Sequence, residues 1–328
     1  MHTTCSETKP MTHSHLFFSY TLKQKIHQEL SRMSTVLKMP LQEEPFLSIA
    51  LYTTSQLYEI EKLFSSGEIN PFVQVRTSSY DPAMKQSEFP VRIGFFPVAA
   101  NPFHWGHLLA GMSAIVQFKL DKLVYLVAGN DRRKPGLVPA AIRHPMAQDV
   151  LKLFFPLFEY SSLTYDDDAD GETALFRFLR LNRHQKMAVW YLAGSDHYRR
   201  YYPDGCSPDT VQKIEEYSEQ HLYGYDATMH DISLGFIHRG EVGSFVDTFL
   251  PVQFLPHVPF EASSTMIREA LAGHGDRTAI ALLPYTAYVD IQTFSLYGVK
   301  ALNRRQPQHP HTTPSIPYVC NKSFAPVV

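Results

Sequence analysis

The feature that most constrains the fold is an alternation of short apolar segments with amphipathic segments between residues 91 and 298. The apolar segments have the length of buried strands, and several are apolar almost throughout. Such an alternation favours an α/β fold with a doubly wound parallel sheet that is covered on both faces. We predict strands at residues 91–98, 123–128, 162–165, 187–193, 231–238 and 253–255, and helices at 107–118, 141–155, 173–181 and 264–272, with at least one more helix within 278–294. Ligands of such sheets bind beyond the carboxyl ends of the strands, so we look for chemistry in the loops that follow them.

The chain extends beyond this segment at both ends. Apolar residues recur at three- and four-residue steps between Leu22 and Leu37, which predicts an amphipathic helix, and a second helix is predicted at residues 55–64. Residues 77–90 contain few apolar side chains and are interpreted as a linker. We therefore predict three regions: a helical N-terminal extension with its linker at 1–90, an α/β domain at 91–298, and an irregular C-terminal tail, rich in Pro and His, at 299–328.

Composition and charge exclude several classes of protein. Hydrophobic residues make up 44% and charged residues 19% of the chain, which is typical of globular proteins and not of disordered ones. The formal net charge of −2 is far from the basic balance of proteins that wrap nucleic acid. Cys5, Cys206 and Cys320 are widely spaced and form no CxxC motif, which argues against a disulfide scaffold and a thiolate zinc site. Because residues 1–10 also lack an apolar signal core, and no apolar run reaches the length of a membrane span, we expect a cytoplasmic protein that binds neither membranes nor nucleic acid.

A pair of histidines follows the first predicted strand. Residues 93–108 read IGFFPVAANPFHWGHL, so His104 and His107 are three residues apart and Gly106 precedes the second of them. If the helix starts near Gly106, both imidazoles lie at its amino end, where backbone N–H groups and the helix dipole attract anions. A glycine there lets a phosphate approach the backbone closely, and the imidazoles can stabilise charge that develops during a transfer reaction. The alternative is a pair of surface histidines in a chain that contains sixteen.

A second candidate anion site opens the late helix, about 160 residues further along the chain. Ser263, Ser264 and Thr265 are suited to the start of a helix, because their hydroxyl groups can bind the first backbone N–H groups. Arg268 lies one turn into that helix, and a guanidinium can bind two phosphate oxygens through parallel hydrogen bonds. The alternative is an ordinary helix cap followed by a surface arginine.

Taken together, the two motifs resemble the signature of the nucleotidylyltransferase superfamily, which has a Rossmann-like fold. Further segments between residues 91 and 298 resemble the bacterial nicotinate (or nicotinamide) mononucleotide adenylyltransferases. That family begins with GGTFDPxHxGH, which corresponds to PVAANPFHWGH at residues 97–107. Its other features are a helix with Arg and Met, a strand ending in GxD, an Arg before Pro-Gly, an ISSTxIR segment and a closing Leu-Tyr. The corresponding residues here are Arg143 and Met146, Gly194 and Asp196, Arg239 followed by Gly240, residues 263–268, and Leu296 and Tyr297.

The resemblance implies an enzyme of NAD biosynthesis. The phosphate of the mononucleotide attacks the α-phosphorus of ATP, and pyrophosphate leaves, so catalysis depends on positioning and charge stabilisation. Mg²⁺ is expected to be carried by the ATP phosphates, with no dedicated protein site. The implied residues are His104, His107 and Arg268 for catalysis; Asn101, Gly106, Gly194, Asp196, Ser263, Ser264, Thr265 and Ile267 for ATP; and Ala99, Ala100, Lys134, Thr173 and Arg239 for the mononucleotide.

Departures from the family pattern keep two alternatives open. Residues 97–100 read PVAA where the family has GGTF, which restricts the loop and removes a threonine hydroxyl. Asp170 stands where the family has a substrate-facing Thr; if it points inward, it would repel a nicotinate carboxylate and favour an amide. By residue type alone, Tyr198, Tyr201 and Tyr202 are candidates for the family's aromatic clamp. The alternatives are a different phosphorylated acceptor, such as pantetheine phosphate, and a nucleotide-binding regulator without turnover. Base preference and oligomeric state, with a homo-oligomer among the options, are left open.

Overall fold

The computed structural model describes residues 13–79, 89–131, 134, 136–197, 210–238, 248–256, 258, 261–274 and 276–300. Within these residues the chain forms two N-terminal helices, a set of strands and helices that alternate, and a final group of short helices. The helices are α1 (His13–Leu37), α2 (Phe46–Ser65), α3 (Trp105–Phe118), α4 (Ala140–Lys152), α5 (Gly171–Leu181), α6 (Thr210–Glu219), α7 (Ser264–Glu269), α8 (Arg277–Ala281) and α9 (Tyr285–Thr293). The strands are β1 (Val91–Val98), β2 (Lys122–Val127), β3 (Phe158–Ser161), β4 (Met187–Gly194), β5 (His230–Ile237) and β6 (Val252–Leu255).

The six strands form one sheet in the order β3-β2-β1-β4-β5-β6, and every neighbouring pair is parallel. The chain winds outward from β1 in one direction and then returns to β4, which lies on the other side of β1. The strand order therefore reverses between β1 and β4, and a crevice is expected beyond their carboxyl ends. The predicted α/β, doubly wound, Rossmann-like fold is confirmed.

Three predicted elements differ from the structure, and one helix was not predicted. The short strand predicted at 162–165 is wrong: β3 lies at Phe158–Ser161, and the residues that follow form a turn in which Tyr165 N–H donates to Ser162 O. Helix α2 begins nine residues before the predicted start, and α6 was not predicted. The late helix ends at Glu269 and continues as a π-turn to His274, in which Gly273 has a φ of +91°.

The N-terminal helices share a core with the α/β elements. The stripe predicted on α1 is buried, and it packs in one cluster with apolar residues of α2, α3, α4 and α9. The carboxylate of Glu29 in α1 accepts hydrogen bonds from Thr286 at the start of α9, from N–H at 2.8 Å and from Oγ1 at 3.0 Å. A second core on the other face of the sheet contains α5 and α6. The division into three regions stays a prediction, and the tail from residue 301 lies outside the described residues. No helix in the described part of the chain combines the length and apolar character needed to cross a membrane.

Candidate active site

Both predicted histidines lie at the start of α3, directly after β1. His104 is the N-cap residue, and His107 is the third residue of the helix. Their ring centroids are 3.8 Å apart, and the residues are only 1% and 8% exposed, so they are not the surface histidines of the alternative interpretation. The Nδ1 of His107 accepts a hydrogen bond from the His104 backbone N–H at 3.3 Å. Neutral His107 therefore carries its proton on Nε2, which makes that nitrogen a hydrogen-bond donor.

Gly106 brings the two sequence motifs into contact. A Cβ at this position would lie 2.8 Å from the Cβ of Ala262 and 3.0 Å from two ring atoms of His104. The glycine thus allows the first turn of α3 to approach the residue that precedes the Ser-Ser-Thr segment. The backbone of the neighbouring Trp105 is fixed as well, because its N–H donates to Leu282 O at 2.9 Å.

The Ser-Ser-Thr-Arg segment is hydrogen-bonded to the loop between β1 and α3. Ser263 caps α7 by accepting from Met266 N–H at 3.1 Å. Ser264 Oγ donates to the carbonyl of Pro102 at 3.1 Å. Arg268 donates to the carbonyl of Asn101 at 2.7 Å and to Thr265 Oγ1 at 3.1 Å. A guanidinium has five N–H donors, so these two bonds leave others for a phosphate.

Ile267 and Asn101 support this arrangement through the protein itself. Ile267 is fully buried, its N–H donates to Ser263 O, and its carbonyl accepts from Ala270 N–H. The side-chain oxygen of Asn101 accepts from Tyr297 hydroxyl at 2.8 Å and from Val138 N–H at 3.3 Å. Burial raises the pKa of Tyr297 to about 12, although Arg268 and Arg143 oppose the shift, so the phenol stays a neutral donor. The Leu-Tyr sequence of the family pattern thus contacts the histidine loop.

Gly194 and Asp196 lie at the same edge of the sheet. Gly194 is the buried last residue of β4, which pairs directly with β1. Asp196 follows in a short turn with an exposed side chain, and its carboxylate is 3.7 Å from Nε2 of His197. The residues predicted for ATP from three distant parts of the sequence therefore lie on the two sides of the point where strand order reverses.

A buried arginine fixes the loop after β1 through hydrogen bonds to backbone carbonyls. Arg143, which is 1% exposed, donates to the carbonyls of Ala99 at 2.6 Å, Gly129 at 2.6 Å, and Val138. Burial lowers the pKa of this guanidinium to about 10, so it remains positively charged at neutral pH. Ala100 is buried with a φ of +50°, in the left-handed region that favours glycine. Arg143 was matched to the family by sequence, but its role in fixing this loop follows only from the structure.

Asp170 does not present an uncompensated charge. It is the N-cap of α5, where one carboxylate oxygen accepts from Thr173 N–H at 2.9 Å and the other pairs with Lys213 of α6. Although burial opposes the shift, these hydrogen bonds from Lys213 and Thr173 lower the pKa of Asp170. The expected repulsion of a nicotinate carboxylate therefore loses its physical basis, because Lys213 balances the charge. The pairing of Asp170 with Lys213 was not predicted, because α6, which carries Lys213, was not predicted.

Another residue predicted for the mononucleotide, Lys134, lies at an exposed position. Lys134 has a side chain that is 52% exposed, with Nζ 4.0 Å from Asp131 Oδ2. Arg239 lies outside the described residues, as do the three tyrosines considered for an aromatic clamp, Tyr198, Tyr201 and Tyr202. In the described part of the chain no group of three or more His, Cys, Asp and Glu side chains could hold a metal ion.

One buried histidine at this edge was missed. His144 of α4 bonds to the Ala128 carbonyl through Nε2 at 3.2 Å and to Tyr160 hydroxyl through Nδ1 at 2.6 Å. Because a carbonyl only accepts, Nε2 carries the proton and Nδ1 accepts from the phenol. Burial lowers the pKa of His144 to about 4, so the ring is neutral. Its position next to Arg143 was the available signal, but a single histidine in a helix predicts no partner.

Several sequence relatives of this chain share one name, nicotinate-nucleotide adenylyltransferase. No protein-family model matches the chain. A "Probable nicotinate-nucleotide adenylyltransferase" of Thermoanaerobacter sp. strain X514 is 26% identical over 214 residues, which cover 64% of this chain and 96% of the relative. Proteins of the same name from Clostridium botulinum and Thermus thermophilus are 26% and 31% identical over 107 and 116 residues, or about a third of this chain. The chain spans only 52% and 58% of the lengths of these two.

Among solved structures, a Plasmodium falciparum nicotinic acid mononucleotide adenylyltransferase complexed with NaAD aligns with a TM-score of 0.45 and 13% identity. The alignment covers 64% of this chain and 98% of the other. The sequence matches confirm that the chain resembles the nicotinate-nucleotide adenylyltransferases.

Proposed function

We propose that this chain transfers the adenylyl group of ATP to nicotinate or nicotinamide mononucleotide. A phosphate oxygen of the mononucleotide attacks the α-phosphorus of ATP, the bond from that phosphorus to the bridging oxygen breaks, and pyrophosphate leaves with the electron pair. The products are the dinucleotide and pyrophosphate, and no covalent enzyme intermediate is formed. The names of the sequence relatives support this assignment.

The observation that carries the proposal is the contact between two segments about 160 residues apart in sequence. Hydrogen bonds from Arg268 to Asn101 and from Ser264 to Pro102 join α7 to the loop before the two histidines. We propose that the Nε2 protons of His104 and His107 bind the ATP phosphates and stabilise the charge that builds up in transfer. Thr265 and the remaining donors of Arg268 would bind the β- and γ-phosphates, and Ser264 would join them by turning its single hydroxyl proton from the Pro102 carbonyl to a phosphate oxygen.

Around these groups, the other predicted residues have narrower roles in the proposal. Gly194 and Asp196 would face the adenosine, while the main chain of Ala99 and Ala100, with Thr173, Lys134 and Arg239, would contact the mononucleotide. The donor set at the histidine pair suits phosphate oxygens, and Mg²⁺ bound to ATP would neutralise the charge on those oxygens. We place no protein side chain in its coordination sphere. A homo-oligomeric state and the absence of nucleic-acid binding remain predictions.

The altered segment at residues 97–100, which begins within β1, supports a second candidate function, a nucleotide-binding regulator without turnover. Pro97 and Val98 replace two glycines there. The retention of the buried histidine pair, the serine and threonine hydroxyls and Arg268 favours the enzyme, because a protein that only binds nucleotide needs fewer of these groups.

Product formation decides between the two functions. The protein is incubated with magnesium-ATP and, separately, with each mononucleotide and with pantetheine phosphate, and the products are resolved by chromatography. We expect a dinucleotide and an equal amount of pyrophosphate from one of the two mononucleotides, and the ratio of the two rates gives the base preference. ATP binding without any product would favour the regulator, and a product from pantetheine phosphate alone would correct the acceptor.

A histidine variant ties the reaction to the proposed site. In His107→Asn, the amide oxygen can still accept from the His104 N–H, but the Nε2 donor is lost. We expect kcat to fall by about 10²–10³-fold, as for the loss of one charge-stabilising donor, with little change in folding. His27→Ala, at an exposed position of α1, is the control and should react as the wild type does. Equal rates for all three proteins would contradict the proposed role of His107.

A further inference from the structure

An arginine-rich cleft of about 810 Å³ lies along α5, on the face of the sheet opposite to α3. Arg177, Arg180 and Leu181 line it from the helix, where residues at i, i+3 and i+4 share one face. The segment before β1 contributes Arg76, and the turn after α5 contributes Arg183. No role in the proposed reaction has been assigned to any of these residues.

The cleft carries an excess of positive charge. Its four arginines face two carboxylates, those of Asp166 and Asp167. Asp167 pairs with Arg177, which also donates to the hydroxyl of Tyr223 at 3.4 Å. In the part of the chain that the structure describes, no acidic side chain pairs with Arg76 or Arg180. A concave surface with uncompensated cations of this kind concentrates anions.

The chemistry of the lining selects among anions. Guanidinium groups bind phosphate oxygens in pairs of parallel hydrogen bonds, and serine hydroxyls of Ser79 and Ser162 add neutral donors. The volume is in the range of pockets that enclose whole small molecules, about 300–1,000 Å³, and it exceeds what an inorganic phosphate fills. A nucleotide supplies both the charge and the size.

The cleft is separate from the candidate active site. Helix α5 begins at Gly171, where a Cβ would lie 2.6 Å from Pro97 Cγ, and it ends at Leu181. Ten residues at a rise of 1.5 Å put these ends about 15 Å apart. Arg180 and Arg183 lie at the far end of the helix, whereas Ser162 of the lining follows β3 at the edge that carries the histidines, so a ligand held by these arginines is centred away from the histidine pair.

We propose that this cleft is a second binding site for a phosphate-bearing nucleotide, with Arg76 and Arg180 binding its phosphates. The site is distinct from the proposed transfer reaction and does not depend on it.

The number of bound ATP molecules tests the proposal. Equilibrium dialysis with radiolabelled ATP is carried out on the full chain, on Arg76→Gln/Arg180→Gln, and on Arg268→Gln, which changes the candidate active site. The double variant should lose one of the sites present in the wild type, or bind it at least tenfold more weakly, while Arg268→Gln retains it. The backbone of Arg76 is fixed by Asn182 through bonds of 2.9 and 3.0 Å, so the substitution leaves that contact in place.

Matched controls make the result decisive. Lys23→Gln/Lys62→Gln removes the same charge from α1 and α2, at partly exposed lysines. An equal loss of binding in this control, or an unchanged number and affinity of sites in the arginine variant, would overturn the proposal. Pyrophosphate should bind the cleft at least tenfold more weakly than ATP. Equal affinities would refute the claim that the cleft recognises a nucleotide and not only its phosphates. If the proposed reaction fails, the arginine variant still reports on the cleft, because only Arg268→Gln reports on the other site.

Discussion

Replacing Gly106 with alanine should separate the rate of the proposed reaction from the stability of the fold. The new Cβ would lie 2.8 Å from the Cβ of Ala262, whereas ordinary contacts begin at 3.4 Å, so α3 and the start of α7 must separate by about 0.6 Å. Overpacking costs about 1–3 kcal/mol, but alanine regains about 1 kcal/mol of helix propensity, which leaves a net loss of about 0–2 kcal/mol. A displacement near 1 Å between groups that act together can cost about 10²-fold in rate, so we expect kcat to fall about 10–100-fold.

The contact partner supplies the control for this prediction. Ala262→Gly alone should react like the wild type, and Gly106→Ala combined with Ala262→Gly should recover part of the rate, because the contact with Ala262 is gone while the 3.0 Å contacts with the His104 ring remain. Pyrophosphate release gives the rates, and urea denaturation gives the free energies of unfolding. A fully active Gly106→Ala, or a double variant as slow as the single one, would refute the idea that this contact aligns the two motifs.

Three further predictions concern buried charges. Arg143→Met leaves the three carbonyls that it binds without their donor, and we expect a loss of about 3 kcal/mol or more in urea denaturation; a loss under about 1 kcal/mol would contradict the role. Burial, together with Asp149, raises the pKa of Asp290 to about 6 in the folded state. Protonation of Asp290 therefore stabilises the folded state below about pH 4, and this stabilisation is lost as pH rises through 6. Asp290→Asn should therefore stabilise the protein by about 1–2 kcal/mol at pH 8, after allowance for solvent screening, and leave it unchanged near pH 4; stabilisation at the lower pH alone would reverse the sign and refute the argument. Glu29→Ala removes the cap of α9 and should cost about 1–2 kcal/mol by thermal denaturation, whereas Glu59→Ala, at a partly exposed position of α2, should cost under about 0.5 kcal/mol.

The inner strands could be predicted because they are buried on both faces. In β2 all six residues are buried, and the five that follow Lys122 form the continuous apolar run that the sequence shows. The start of α3 was also predicted to within two residues, since the helix was expected from His107 and begins at Trp105. Edge strand β3 was misplaced because its four residues, Phe-Glu-Tyr-Ser, carry little of that apolar signal, and only two of them are buried.

Contacts between residues far apart in the chain could not be predicted from the sequence. Nothing in the pattern around Asp170 indicates that Lys213 balances its charge, and the helix that carries Lys213 has few apolar residues. The use of Arg143 to bind three backbone carbonyls could not be predicted either, because their positions depend on the paths of two loops, one after β1 and one after β2. The charge of Asp170 was therefore weighed against the substrate, although its partner Lys213 lies within the protein.

Pro97 and Val98, the residues of the segment 97–100 that stand where the family has glycine, end strand β1, and a glycine elsewhere in the fold makes room for the proline ring. Pro97 occupies the first position of the family's GGTF segment, and its ring needs space that a glycine would leave empty. That space is provided by Gly171 at the start of α5, where a Cβ would lie 2.6 Å from Pro97 Cγ and 2.5 Å from the hydroxyl of Tyr191. Proline also fixes its own φ, so this end of β1 has less conformational freedom than a Gly-Gly pair would give it. The departure is thus accommodated at the helix that faces the loop, while the histidines, with their contacts to α7, keep the arrangement on which the proposed transfer depends.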